Sequence, residues 1–166
     1  MSVSLVMPGD PNVFEPEWQE GTPPGLKGLM VGAAAGATEL GATVYELDPG
    51  VAVSPYHLHH GNEELLVVLR GRVSLRTPDG DRWVEPGAVV AFPRGPDGAH
   101  RVAAGDEPAR VLLISTMNFP EIAEHVSTGA TLTMSSPGVG KAFGADGERP
   151  FPDLYREAIE RDKSTS

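Results

Sequence analysis

GVAVSPYHLHHGNEELLVVLRG, residues 50–71, holds two histidines at alternate positions, His57 and His59, then the paired acids Glu63 and Glu64, then an apolar run closing on Gly71. Alternate side chains of a β-strand share a face, so an extended segment brings His57 and His59 toward one point. Neutral imidazole and carboxylate together suit a divalent transition metal, and two histidines with one carboxylate leave positions open for water, substrate or dioxygen. Which glutamate serves depends on register, because Glu63 and Glu64 face opposite sides of a strand. If Leu66 and Val68 line a barrel interior, Glu64 points inward with them and Glu63 points out. His100 opens the later segment HRVAA, and strand pairing can carry it to the first three residues.

Outward from this stretch the strand signals repeat. ATVYEL, residues 42–47, is rich in β-formers and ends at Asp48-Pro49-Gly50. RVSLRT and DRWVE flank Pro78-Asp79-Gly80, where proline presets φ and glycine accepts positive φ. Pro86-Gly87 turns the chain into AVVAF, residues 93–98 form a wide loop, and HRVAA leads through GDEPA into RVLLIST. About eight or nine short strands, at roughly 8–12-residue spacing, predict an all-β sandwich or barrel.

The flanks differ from this centre. Residues 26–31 read as one more strand and GAAAGA after them as a turn. Residues 1–25 are broken by Pro8, Pro11, Pro16, Pro23 and Pro24 and read as an irregular arm, with Phe14 and Trp18 placed to pin it to a core. Beyond Met117, PEIAEHVS reads as a short helix in which His125 is a surface or hydrogen-bonded residue. Residues 129–150 read as a stretch without clear structure: a mobile flap, a segment ordered by a partner subunit, or equally a loosely packed tail. Residues 153–161 read as a helix with Leu154, Ala158 and Ile159 on one side. The expected organisation is one domain over 1–166: a core barrel at about 38–118, an N-terminal arm at 1–25 and a C-terminal extension at 119–166 with short helical segments.

Length and composition bound the function. A chain of 166 residues suits one domain with a sizeable core. The formal charge is -10 and the Lys and Arg residues form no stripe, which argues against nucleic acid as a partner. Cysteine is absent, so there is no disulfide framework, thiolate metal site or thiol nucleophile, and the expected location is cytoplasmic. No basic, apolar leader opens the chain and no apolar run is long enough for a membrane span.

The spacing of the site residues resembles the two motifs of the cupins. His57, His59, Glu64 after four residues and Gly71 after six more resemble the first; Gly87, Pro93, Gly95 and His100 resemble the second. The resemblance implies a double-stranded β-helix, or jelly-roll barrel, with metal ligands His57, His59, Glu64 and His100. It also implies one divalent transition metal (Fe, Mn, Ni, Zn, Co or Cu), a homodimer paired through sheet edges, and a small-molecule substrate handled by dioxygenase, isomerase or lyase chemistry. Non-catalytic binding or sensing of a small molecule is the alternative. Three features depart from the family pattern. Six residues separate Gly50 from His57 where five are usual, four residues separate Gly95 from His100 where two are usual, and Ala104 replaces a frequent asparagine. The second of these is expected to reshape the barrel mouth near 96–98. Candidate cavity-wall residues are Tyr45, Tyr56, Leu66, Val68, Phe92, Val102, Leu112 and Ile114, of which the two tyrosines carry a polar handle. Arg70, Arg72 and Arg101 read as solvent-facing or dimer-interface residues, with contact to an anionic substrate as the alternative. No residue is assigned to the chemical step; without a Ser-His-Asp pattern or a thiol, catalysis is expected to run through the metal.

Overall fold

The structure, a computed structural model, describes residues 10–21 and 23–164, so residues 1–9 and Thr22 of the expected arm lie outside it. Three sheets contain the strands. The first runs β1 (Gln19–Glu20), β2 (Leu26–Leu29), β3 (Leu40–Leu47), β10 (Ala109–Thr116), β5 (Glu64–Arg70), β8 (Val89–Phe92). The second runs β14 (Gly147–Arg149), β13 (Val139–Gly144), β12 (Ala130–Ser136), β11 (Glu121–His125), β4 (His57–His59), and the third runs β7 (Gly80–Val84), β6 (Val73–Thr77), β9 (Arg101–Ala104). Single bridges, His57 to His100 and Ala52 to Ala103, join the second and third sheets into one layer facing the first. The result is the antiparallel β-barrel of a jelly roll.

The core lies between the layers. Leu47, Leu66, Val68, Val73, Leu75, Val102 and Val111 are fully buried there, contributed by alternate positions of their strands. Full burial of such side chains contributes on the order of 2 kcal/mol each. Gly71 ends β5 at φ 66°, and a side chain there would collide with the Pro108 carbonyl. Glycine is therefore required at the close of the opening stretch.

The flanks depart from expectation. The sheets extend on both sides of residues 38–118: β1 and β2 add to the first layer and β11 to β14 to the second. Residues 121–125 are strand and not helix, because their burial alternates: Glu121, Ala123 and His125 are buried while Ile122 is 44% exposed. A period of two overrides the helical reading, and His125 is not on the surface. Residues 129–150, expected to lack structure, form β12, β13 and β14, hairpin-paired from Thr131 opposite Phe143 to Gly144 opposite Gly147. The small-residue stretch after β2 contains one helical turn, α1 (Val31–Ala34). Phe14 is exposed; the arm is held instead by the buried Arg110, which donates to the Val13 and Phe14 carbonyls and lies 5.0 Å over the Trp18 ring.

The C-terminal helix α2 (Phe151–Ser164) is longer than the expected 153–161 and buries Leu154 and Ala158. Its Asp162, 1% exposed, accepts a hydrogen bond from the Tyr56 backbone at 2.7 Å and so ties the helix to the residue before His57. Among the described residues no helix is long and apolar enough to cross a membrane.

Candidate metal centre

Two strands and a loop end deliver the histidines and the glutamate to one place. β4 carries His57 and His59 on the same face, with Leu58 buried between them on the other. Glu64 is the first residue of β5 and lies opposite Phe92 of β8 and Ser115 of β10. Glu63 is exposed, so register selects Glu64. His100 follows a 3-10 turn over Pro96–Gly98, the segment where the second motif is longer than usual. Its ring stacks on Phe92 with centroids 3.8 Å apart and planes 6° from parallel. That contact and the exchange of backbone hydrogen bonds with His57, at 2.8 and 3.1 Å, set His100 against β4.

The donor atoms converge. Nε2 of His57 lies 3.1 Å from Nε2 of His59; Oε2 of Glu64 lies 3.1 Å from Nε2 of His100 and 3.5 Å from Nε2 of His59. Ligand atoms of His57, His59 and Glu64 all lie within 4.8 Å of one another, and His100 adjoins this trio through Glu64. Backbone carbonyls engage the far sides of two imidazoles, while Nδ1 of His59 is buried with no hydrogen-bond partner. Nδ1 of His57 donates to the Pro55 carbonyl at 2.8 Å and Nδ1 of His100 to the Gly98 carbonyl at 2.9 Å. Donation from Nδ1 leaves Nε2 with a free lone pair pointing at the common centre.

The electrostatics agree with a neutral-imidazole, ionised-carboxylate set. Burial, reinforced by the neighbouring His100 and His59, pushes the His57 pKa down to about 3. Burial by itself would raise the Glu64 pKa. The close His100 and the fields of His59 and His57 outweigh it and bring Glu64 down to about 2. Oε2 of Glu64 and Nε2 of His100 are buried with no hydrogen bond of proper geometry, which is costly unless something else satisfies them. Two imidazole nitrogens and one carboxylate within 4.8 Å of one another, with His100 adjoining through Glu64, could hold a metal ion.

A carboxylate that sequence reading missed completes the surroundings. Glu121, at the start of β11 and 1% exposed, places Oε1 3.9 Å from Nδ1 of His59 and accepts hydrogen bonds from the Gly61 backbone and the Asn62 side chain. Asn62 is in turn held by the Asn118 backbone at 2.7 Å and the Thr116 hydroxyl at 3.0 Å. One signal was available: in EIAEH the polar Glu121 and His125 share the inward face with Ala123 while Ile122 faces outward, the inverse of an ordinary strand. Inward polar alternation marks a strand that faces a site and not a core.

His59, Glu64, Asn62 and Glu121 form part of the wall of a cavity of about 620 Å3 that also touches Tyr45, Thr43, Leu113 and Ser115. Of the expected wall residues, Tyr45 is there. Leu66, Val68, Phe92 and Val102 instead pack in the core beneath it. Tyr56 is not among the lining residues; its backbone is turned to Asp162. Leu112 and Ile114 lie on the opposite face of β10 from Leu113 and Ser115, so strand alternation removes them from the cavity. The tip between β12 and β13 reaches the cavity through Pro137 and Gly138, and Met134 joins them. Burial raises the Tyr45 pKa, with a hydrogen bond to Thr43 opposing and the Glu64 charge assisting, so the phenol keeps its proton at neutral pH.

Comparison with known proteins gives the same fold. The Cupin domain family matches residues 43–115. A sugar phosphate isomerase of the cupin superfamily from Silicibacter pomeroyi is 28% identical, with 78% of this chain covering 82% of that one and a TM-score of 0.68. A protein from Acidithiobacillus ferrooxidans, provisionally assigned as a sugar phosphate isomerase, is 24% identical over 76% of this chain and 80% of its own, with a TM-score of 0.66. The polyketide cyclase RemF from Streptomyces resistomycificus is 24% identical over 64% and 78%, with a TM-score of 0.53. No curated protein matches the sequence.

Proposed function

Since the chain belongs to the cupin superfamily, we propose that it is a metal-dependent enzyme that rearranges a small carbonyl compound by proton transfer, in the manner of an isomerase or lyase. The observation that carries this is the convergence of Nε2 of His57, His59 and His100 with Oε2 of Glu64 at a cavity whose wall also presents the protonated phenol of Tyr45. His57, His59, Glu64 and His100 would hold one divalent transition metal, which supplies a Lewis acid that polarises a substrate carbonyl or enediolate.

The remaining parts have separate tasks. Backbone carbonyls of Pro55 and Gly98 fix two imidazoles in the tautomer that binds. Glu121 lies 3.9 Å from the far nitrogen of His59, beyond hydrogen-bond reach, and bounds that side of the ring with its charge. Tyr45 stands where it can donate its proton to a substrate oxygen. The isomerase assignment of the Silicibacter pomeroyi relative supports proton-transfer chemistry in preference to oxygenation. We further propose a cytoplasmic homodimer formed through the first sheet, whose outer face carries Leu65, Val67, Leu112 and Ile114; a monomer by light scattering would refute the dimer.

The function is tested by elemental analysis of protein purified without chelators, followed by a carbonyl-substrate screen on metal-loaded enzyme. One metal per chain is expected, with turnover that disappears in Glu64→Gln while the circular dichroism spectrum is kept. Tight binding without turnover across the screen would replace the enzyme with a non-catalytic binder. Full metal content in the His57→Ala, His59→Ala double variant would remove the metal site altogether.

A further inference from the structure

The cavity above the candidate centre has a composition that limits what can enter it. All thirteen Lys and Arg of the chain fall within the described residues, and none of them lines this cavity. With Glu64 taken up by the metal, the remaining acidic side chain of the wall, Glu121, repels an anion, the chain as a whole carries -10, and the metal ion would be the one positive group an anion could meet. A phosphate group would therefore lose its water and meet no cationic side chain. The Silicibacter pomeroyi relative, 28% identical, is described as a sugar phosphate isomerase, so this would be a difference in specificity within one fold.

The mouth has the opposite character to the floor. Met30, Leu40 and Met117 stand there 62%, 53% and 36% exposed, and Met134 and Pro137 close the other side. Every methionine of the described residues thus lines this one cavity. Large apolar side chains left exposed around a concave site mark a ligand surface, and unbranched thioethers adapt to aliphatic chains of differing shape. Deeper in, Thr43, Asn62 and Ser115 offer hydroxyl and amide groups beside His59 and Glu64. The wall is polar at the metal ligands and aliphatic toward solvent.

Resting on the metal-dependent reading above, we infer that the substrate is an uncharged, amphipathic hydroxycarbonyl compound whose aliphatic tail lies along Met30, Met117 and Met134, and not a phosphorylated sugar. The head group sits among Thr43, Asn62 and Ser115 and the tail replaces water at the rim.

The test uses the full chain loaded with Zn2+ and labelled with [methyl-13C]methionine, followed by NMR titration. The probes are 3-hydroxybutan-2-one, 3-hydroxyhexan-2-one and 3-hydroxyoctan-2-one, with ribose and ribose 5-phosphate for comparison. The methyl signals of Met30, Met117 and Met134 should move with the hydroxyketones, and affinity should rise about fourfold per added methylene. Ribose 5-phosphate should bind no more tightly than ribose. Met117→Lys, or Met30→Lys if the first fails to fold, should weaken the longest hydroxyketone at least about tenfold and make ribose 5-phosphate the better sugar ligand. Affinity that is flat with chain length, rim methyl signals that do not respond because a second copy covers them, or a preference for ribose 5-phosphate in the unaltered protein would overturn the inference. Metal content separates the two readings. Protein that takes up no metal yet keeps the chain-length dependence overturns the metal reading alone; loaded protein that prefers the phosphate overturns this one alone.

Discussion

His59 stands between two walls, and each presents a carboxylate. From the barrel centre comes Glu64 of β5, which reaches the Nε2 side of the ring; from the C-terminal extension comes Glu121 of β11, which faces the Nδ1 side. Glu121 is buried and Glu64 half-buried, and both begin a strand. Their partners separate them. Glu121 accepts hydrogen bonds from Gly61 and Asn62, whereas Oε2 of Glu64 has none and looks into a cluster of imidazole nitrogens. A saturated carboxylate holds a neighbour in place; an unsaturated one waits for a ligand.

The largest effect is expected at the unsaturated wall. Glu64→Gln should weaken metal binding by more than about 100-fold, beyond the range of changes outside the ligand set, as measured by chelator competition. Glu121→Gln should weaken it by about 10- to 100-fold, and by leaving the Asn62 amide facing another amide should cost about 1–3 kcal/mol in urea unfolding of metal-free protein. Equal losses of metal affinity in the two variants would erase the distinction between the walls.

Acid titration examines the same asymmetry without a substitution. His57 has a folded pKa of about 3 against an ordinary 6.5, so below pH 6.5 the unfolded chain takes up a proton that the folded one refuses. Its contribution is fully present above pH 6.5 and is lost as pH falls toward 3. Glu64, lowered to about 2 from 4.5, contributes stability present above pH 4.5 and lost as pH falls toward 2. Metal-free protein should therefore lose about 1.4 kcal/mol per pH unit between 6.5 and 4.5, from His57, in denaturant unfolding. His57→Gln should flatten that slope, and an unchanged slope would refute the assignment.

The smallest effect is expected one residue pair away. Glu124, also on β11, faces His60 at 3.4 Å, and both side chains are well exposed. Glu124→Gln should change stability by less than about 0.5 kcal/mol and leave metal affinity unaltered. A loss comparable to that of Glu121→Gln would mean that the charge of β11, and not the contact with His59, supports the site.

The site residues were unequally legible. His57, His59 and Glu64 lie within one short stretch, where a period of two decides which side chains converge, and Gly71 announces the end of its strand. The order of strands and turns between residues 42 and 116 was legible for the same reason, since alternation and Gly-Pro turns are local signals. β11 was misread because EIAEH satisfies a helical pattern as easily as a strand, and its inward face is polar. The cavity wall was misjudged at Leu112 and Ile114 because β10 is apolar on both faces, so composition could not say which face looks inward.

What the sequence by itself determined is the set of local geometries: strands of period two, turns at proline and glycine, and a histidine pair with a glutamate on one face. What only the tertiary structure decided is which distant segments meet. His100 reaches Glu64 because the Phe92 ring and the His57 backbone receive it, and Glu121 reaches His59 because β11 pairs with β4. The methionines at positions 30, 117 and 134 become one rim only when both layers close around the cavity. Contacts within a strand follow from the pleat of the backbone, whereas contacts between strands depend on pairing and register, which the packing of the whole barrel selects.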